Sequence, residues 1–137
     1  MKHLLDPRRY EMDNSAIFEW RQHLKKQLLI ERHYLSDWSG LRMIACDMHE
    51  GIITRGNVPK SLDWQWQIFH PYNSFLLMPE EHYPNPPSRA WCAVNAFERY
   101  GKDNVVEWFY SLPWKRVPFR VENLDELLEV SRLRKIR

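Results

Sequence analysis

The first regular pattern in the chain is an apolar stripe at helical spacing, in residues 14–35. The apolar side chains recur every three or four positions, at Ile17, Trp20, Leu24 and Leu28. This spacing places them on one face of a helix, and Asp13 or Asn14 is able to cap its first turn. We therefore expect a helix here, preceded by a charged arm over residues 1–12.

Basic residues of this helix lie off the apolar stripe, at Arg21, Lys25, Lys26 and Arg32. Charged positions opposite an apolar face favour a solvent-exposed surface, and contact with phosphate is the alternative. His23 and His33 have no acidic or cysteine partner at ligand spacing. We expect both histidines to lie on the surface.

Two or three strands are predicted in the middle of the chain. Residues 41–54 read LRMIACDMHEGIIT, a mostly apolar run with β-branched residues, which favour a strand that breaks or bulges at Gly51. The alternation of Trp64, Trp66 and Ile68 predicts one face of a second strand or a plug at the edge of the candidate site, with core packing favoured over base stacking. SFLLM, at 74–78, predicts a short buried strand.

Helices are predicted again in the C-terminal half. Pro79 suits the first position of a short helical turn that nearby prolines end. Ser88 caps a clear helix that closes at Gly101, with Trp91, Val94 and Phe97 on one face. Two more helices are expected, over residues 103–113 and 124–133.

Composition adds limits to this picture. The 137 residues provide for one modest core, so a single domain is expected. With 20 Lys and Arg against 18 Asp and Glu, the net charge of +2 does not itself indicate a nucleic-acid partner. Cys46 and Cys92 form no CxxC pair, and two reduced thiols are expected. No apolar run is long enough for a membrane span, and we expect a cytoplasmic protein.

Local clusters of basic residues are candidates for phosphate binding. Lys115, Arg116 and Arg120 are interleaved with Trp114 and Phe119, a pattern that suits a nucleic-acid backbone or, equally, a linker over the core. Arg134 and Lys135 belong to a basic tail that could grip phosphates.

A set of polar residues interrupts the apolar strands. Asp47, His49 and Glu50 fall on the first predicted strand, and Asn73 and His82 follow. Asp, His and Glu side chains are ligands for divalent cations, and a carboxylate or imidazole can also act as a general base in phosphodiester hydrolysis. The alternative is that Asp47, His49 and Glu50 are only the polar side of an amphipathic strand.

Residues 42–88 resemble the HNH, or ββα-metal, nuclease motif. HEGIITRG is similar to the opening of that motif, and Asn73 lies nine residues before His82, with the apolar SFLLM between them. The resemblance implies an α+β fold in which a hairpin and short helix (41–88) lie between an N-terminal arm and helix (1–40) and a C-terminal helical extension (89–137).

The resemblance also implies roles for individual residues. His49 and His82 would be metal ligands, with Asp47 as an additional or outer ligand. Asn73 would brace the loop and orient the base, and Arg55 would steady the phosphate. Where most members carry the histidine base, this chain has Glu50, a weaker base near neutral pH. The base is therefore Glu50, His49 or His70.

The function implied is a metal-dependent DNA endonuclease with a one-metal site. Mg²⁺ or Mn²⁺ is the expected ion, with Zn²⁺ or Ni²⁺ as alternatives. Because compact relatives of this type are frequent in bacteriophage genomes, a phage origin and a host-cytoplasm location are expected. The alternative function is a catalytically weak DNA-binding or phage packaging-associated protein that keeps the hairpin as a scaffold.

Overall fold

The computed structural model describes residues 14–54 and 66–112, and these form an α+β fold. The elements in chain order are α1 (Asn14–Glu31), β1 (Asp47–Glu50), β2 (Ser74–Leu77), α2 (Pro79–His82), α3 (Arg89–Tyr100) and α4 (Lys102–Ser111), with 3₁₀ turns at Trp66–Ile68 and Pro71–Asn73. The two strands are neighbours in one antiparallel sheet. None of the described helices is long and apolar enough to cross a bilayer.

The predicted stripe of α1 is confirmed. Ile17, Leu24 and Leu28 are buried in the core, and the half-buried Trp20 donates its indole N–H to the Phe69 carbonyl over 3.0 Å.

Helix α1 ends at Glu31, four residues before the predicted end. His33 and Tyr34 have φ values of 59° and 60°, in the left-handed region, so the right-handed helix cannot continue through them. The chain turns here and runs along the edge of β2 that is not paired with β1, where the Asp37 N–H donates to the Leu76 carbonyl over 2.8 Å.

The expectation of an exposed basic face is wrong for Arg32, which is buried. Its guanidinium donates to the Asp37 carboxylate (2.7 Å) and to the Ser74 carbonyl (2.8 Å), and it also bonds to Tyr100 Oη (3.0 Å). The end of α1 faces β2, where a carboxylate and several carbonyls need donors, and a long arginine side chain supplies them. Arg21 likewise turns inward, toward β1.

The hairpin pairs Asp47 with Leu77 and Glu50 with Ser74 at its two ends. A strand was expected over a longer stretch, but β1 ends at Glu50, although Ile52 and Ile53 are buried beyond it. The reason is that the N–H groups of Ile52 and Ile53 donate to the Asn73 side chain instead of to a strand.

Gly51 marks the predicted break, and close packing explains why glycine is needed there. A Cβ at this position would overlap the Cys92 thiol and lie 2.9 Å from the Phe75 ring. Any side chain would therefore push α3 away from the hairpin. Both cysteines are free, as expected.

The predicted strand through Trp66 and Ile68 is wrong, because Trp66–Ile68 forms a 3₁₀ turn. The Asn73 side-chain amide donates to the carbonyl of the fully buried Ile68 over 2.9 Å, and the Trp20 indole donates to the Phe69 carbonyl. These side-chain bonds satisfy the backbone without a neighbouring strand. Trp64 lies outside the described residues.

The C-terminal helices follow the prediction closely. Pro79 opens α2, which ends at His82 just before the prolines. The Ser88 hydroxyl accepts the Trp91 N–H over 3.1 Å at the start of α3, and Gly101, with φ of 92°, links α3 to α4. The predicted helix over residues 124–133 lies outside the described residues.

Candidate functional site

Strand β1 sends its side chains to two different environments. Successive residues of a strand point to opposite faces, so Asp47 and His49 share one face while Met48 and Glu50 share the other. Met48 and Glu50 are buried against the rest of the fold, and Asp47 and His49 are only partly covered. The polar residues of β1 are therefore divided between two faces.

His82 joins the outer face, because α2 follows directly after β2 and turns back toward β1. Its Nδ1 lies 3.1 Å from Asp47 Oδ2, and its ring centroid lies 5.0 Å from that of His49. The Asp47 and His82 side chains are 42% and 33% exposed. We name these three residues the outer cluster: His82 contacts both Asp47 and His49, and all three are partly exposed.

The environment of His49 favours the neutral imidazole. Burial, together with the neighbouring His82, lowers the pKa of His49 to about 4. A neutral imidazole has a free lone pair on one nitrogen, which can bind a metal ion, whereas its low pKa makes it about as weak a base near neutral pH as a carboxylate.

Glu50 does not join the outer cluster. Its Oε2 lies 3.1 Å from an Arg21 nitrogen, which also donates to the Met48 carbonyl over 2.6 Å. This ion pair joins α1 to β1 on the face opposite His49. Sequence reasoning missed Arg21 as the partner of Glu50, because contacts between residues 29 positions apart leave no local pattern.

Asn73 is fully buried, and both the oxygen and the nitrogen of its side-chain amide form hydrogen bonds. Its oxygen accepts the N–H groups of Ile52 and Ile53, both at 2.8 Å, and its nitrogen donates to the Ile53 and Ile68 carbonyls, both at 2.9 Å. The Gly51 N–H also donates to the Asn73 carbonyl. Asn73 therefore braces the segment after β1, and its amide bonds to backbone groups.

Glu81 fixes α2 and thereby the direction of His82. Its Oε1 accepts the Ser36 hydroxyl over 2.6 Å and the Met78 N–H over 2.7 Å. Partial burial raises the pKa of Glu81, but hydrogen bonds from Ser36, Met78 and Ser39 outweigh burial and lower the pKa. A glutamate at the third position of a helix is a local capping signal, so sequence reasoning could have found this residue.

His70, the third candidate base, lies in another setting. Its Nδ1 accepts the Tyr72 N–H over 3.1 Å, and its ring stacks on Trp108 with centroids 5.0 Å apart. Burial lowers the pKa of His70 to about 4. These contacts give His70 a structural role at the start of the Pro71–Asn73 turn.

The remaining predicted site residues lie outside the described residues: Arg55, Lys115, Arg116, Arg120, Arg134 and Lys135. Their roles in phosphate and DNA binding stay predictions.

A divalent ion requires ligand atoms at a defined spacing. Two ligands that each lie about 2.1 Å from one ion are about 3.0 to 3.4 Å apart. The 3.1 Å between Asp47 Oδ2 and His82 Nδ1 fits this spacing. Within residues 14–54 and 66–112, however, no group of three His, Cys, Asp or Glu side chains is already arranged to hold a metal. Asp47 Oδ2 and His82 Nδ1 therefore have a spacing that an ion could bridge, which is also the distance of a direct hydrogen bond between them.

No family model, curated protein or solved structure matches this chain. The outer cluster, the Arg21–Glu50 ion pair and the Asn73 brace are therefore the features from which a function can be inferred.

Proposed function

We propose that the protein is a metal-dependent DNA endonuclease of the HNH type, which hydrolyses phosphodiester bonds at the outer cluster. The observation that carries this proposal is the meeting of Asp47, His49 and His82 on one solvent-open face of a hairpin and its following helix. Imidazole and carboxylate side chains are suitable both for binding a divalent ion and for accepting a proton from water.

The order of the elements supports the proposal. A strand with Asp47 and His49 is followed by an antiparallel strand and then by a short helix that ends at His82. This is the strand, strand and helix order of the ββα-metal motif. The buried Asn73 braces the connection, which is one of the two roles that the resemblance implies for it, and orienting the base stays a prediction.

Roles within the cluster follow from which face each side chain occupies. Asp47 and His82 would hold the ion, since their donor atoms have suitable spacing. His49 is then favoured as the general base, and Glu50 is disfavoured, because Glu50 pairs with Arg21 on the opposite face. A bound ion would supply positive charge against the phosphate oxygens.

The protein's own residues would perform the remaining tasks. His49 would accept the proton of the attacking water as the water oxygen bonds to phosphorus and the 3′ oxygen leaves. Glu81 and Ser36 would keep α2, and with it His82, in place. Arg55 would steady the phosphate, and the basic residues Lys115, Arg116, Arg120, Arg134 and Lys135 would bind the DNA backbone.

A plasmid-nicking assay tests the proposal. The protein is incubated with supercoiled plasmid and, separately, with Mg²⁺, Mn²⁺, Ni²⁺ or Zn²⁺, with an EDTA reaction as the control. We expect nicked or linear products with at least one ion and none with EDTA. The absence of cleavage with every ion, while the protein is folded and binds DNA, would exclude the endonuclease.

The alternative is a catalytically weak DNA-binding or phage packaging-associated protein that uses the hairpin as a scaffold. The observation that favours it is the direct contact between His82 Nδ1 and Asp47 Oδ2 at 3.1 Å, which ties α2 to β1 without an ion. DNA binding that is equal with EDTA and with added metal, together with no cleavage, is expected for this second function.

A further inference from the structure

The end of α1 and the turn after it carry most of the exposed large apolar side chains in the part of the chain that the structure describes. Six of the nine such side chains fall here: Ile30, Tyr34, Leu35, Trp38, Leu41 and Ile44. We name this group the turn patch. Apolar side chains that cluster on a protein surface, rather than being scattered over it, mark a site where another molecule binds.

Hydrogen bonds fold the turn back on itself, which brings the side chains of the turn patch together. The Met43 N–H donates to the Tyr34 carbonyl over 2.9 Å, and the Ser36 N–H donates to the Leu41 carbonyl over 2.8 Å. The Ser36 hydroxyl oxygen also accepts the Trp38 N–H over 3.1 Å. The backbone of the turn is therefore already ordered, and binding through the turn patch costs little of its conformational entropy.

A pocket of about 1000 Å³ lies between this turn and α3. Trp38 and the buried Trp91 both line it, and their ring centroids are 5.1 Å apart. Leu41 is the neighbour of Gly40, which also lines the pocket, and the Leu41 side chain is 63% exposed. A pocket and an exposed apolar side chain next to each other are self-complementary in shape, because a two-fold axis places each such side chain opposite the other pocket.

The acidic and basic side chains that line the pocket balance: Glu31 and Asp37 against Arg32 and Arg99. Asp37 accepts from both arginines, at 2.7 Å and 3.0 Å. Arg99 stays partly exposed, and the exposed Glu31 carboxylate forms no ion pair within residues 14–54 and 66–112. A surface that carries both an exposed carboxylate and an exposed guanidinium complements a second copy of itself, because Glu31 of one protomer can face Arg99 of its partner.

We propose that the turn patch is the interface of a two-fold homodimer, in which Leu41 of one protomer enters the pocket of its partner and Glu31 pairs with the partner's Arg99. Tryptophan and arginine side chains, which line this pocket, are the types that most often dominate the binding free energy of protein interfaces. The balanced charge of the lining fits a second copy of the chain better than it fits a polyanion. The dimer needs neither a metal ion nor DNA, so it does not depend on the proposed endonuclease.

Sedimentation velocity of the full chain in EDTA, over a series of protein concentrations, tests the dimer. We expect the mass to rise from the 16.8 kDa of one chain toward twice that value. Leu41→Asp should weaken dimerisation at least about 10-fold, because a carboxylate would have to enter the pocket. Phe18→Asp is the matched control: Phe18 is 62% exposed near the start of α1, and this variant should dimerise like the parent. Thermal unfolding checks that both variants are folded.

Charge reversal tests the two-fold arrangement itself. In Glu31→Lys each introduced lysine faces the partner's Arg99, and in Arg99→Glu each introduced glutamate faces the partner's Glu31. Each variant alone should therefore dimerise about 10-fold more weakly than the parent, because like charges meet. An equimolar mixture of the two should form heterodimers with an affinity near that of the parent, since both contacts then join opposite charges. Glu19→Lys, at another exposed glutamate of α1, should dimerise like the parent.

Three results would overturn the dimer proposal. A parent that keeps the mass of one chain at every concentration would mean that the turn patch binds a different protein or a small ligand. A Leu41→Asp protein that dimerises like the parent would place the interface elsewhere. A mixture of the two charge variants that associates no better than either alone would refute the pairing of Glu31 with Arg99. A dimer that never cuts DNA refutes only the endonuclease, and a monomer that cuts refutes only the dimer.

Discussion

The two faces of β1 carry similar polar residues in opposite circumstances. On the inner face the Glu50 carboxylate is buried and paired with Arg21 at 3.1 Å. On the outer face the Asp47 carboxylate meets His82 at the same distance but remains 42% exposed. A buried charge destabilises the folded protein unless it is paired. An exposed ion pair contributes little to stability and is accessible to an ion or substrate. The inner face is thus suited to stability and the outer face to chemistry.

The largest expected effect is on cleavage, from the outer face. His82→Ala and Asp47→Ala should each lower the nicking rate by about 1000-fold or more, because each removes a proposed ligand of the catalytic ion. Thermal unfolding should change little, since both side chains are substantially exposed. Glu80→Ala, at an exposed acidic residue in the same helix, is the control for both measurements. Parent-like cleavage by either variant would contradict the assignment of this face.

Asn73→Ala should cause the largest loss of stability, because Asn73 braces the segment after β1. Four hydrogen bonds to backbone groups disappear and buried partners are left unsatisfied. We expect unfolding in urea to show a loss of about 3 to 5 kcal/mol. Asn104→Ala, which removes an exposed side chain of α4, should cost less than about 0.5 kcal/mol. A small effect at Asn73 would mean that the brace is not needed.

The next largest expected loss of stability comes from breaking the Arg21–Glu50 ion pair. Glu50→Ala leaves the Arg21 guanidinium in a mostly covered position without its carboxylate, which should cost about 2 to 3 kcal/mol in chemical denaturation. The double change Glu50→Leu with Arg21→Met should recover most of this loss, since an apolar pair needs no charge partner.

Glu50→Gln tests the same face for chemistry. We expect cleavage within a few-fold of the parent, because this carboxylate points away from the outer cluster, and a large loss with His49→Gln. If Glu50→Gln stops cleavage in a folded protein that still binds metal, Glu50 is the general base after all.

The success of sequence reasoning depended on how local each signal was. The stripe of α1 and the helix from Ser88 to Gly101 follow from neighbouring residues, and both were predicted. The hairpin, with Asp47 and His49 on one strand, was also predicted. The sequence prediction placed Glu50 and His49 in one site, although the strict alternation of side chains along a strand would have separated them.

Other features could not be read from the chain because they depend on distant partners. Arg32 looks like a surface residue in its helix, and only the packing of α1 against β2 shows the carboxylate and carbonyls that hold it inside. The 3₁₀ turn at Trp66–Ile68 replaces a strand because Asn73 and Trp20 satisfy its backbone from other elements. A pocket at Trp38 likewise arises only where the turn after α1 meets α3.

The smallest expected effect on stability comes from His70, a structural histidine that lies apart from the outer cluster. Burial lowers the pKa of His70 to about 4, against about 6.5 in an unfolded chain. Between these values the unfolded state binds more protons, so the contribution of His70 to stability is complete above about pH 6.5 and is lost as the pH falls toward 4. The full shift corresponds to about 3 kcal/mol, and partial exposure should reduce the measured change to about 1 to 2 kcal/mol.

His70→Asn keeps a side-chain acceptor for the Tyr72 N–H but does not titrate. Urea unfolding from pH 7 to 4.5 should therefore show a shallower loss of stability than in the parent, with the difference growing as the pH falls. The slope from His49, whose pKa is also lowered to about 4, should remain in both proteins. Cleavage at pH 7 should stay close to the parent's rate. If instead His70→Asn abolished cleavage without loss of folding, the division between the outer cluster and its scaffold would have to be redrawn with His70 as the base.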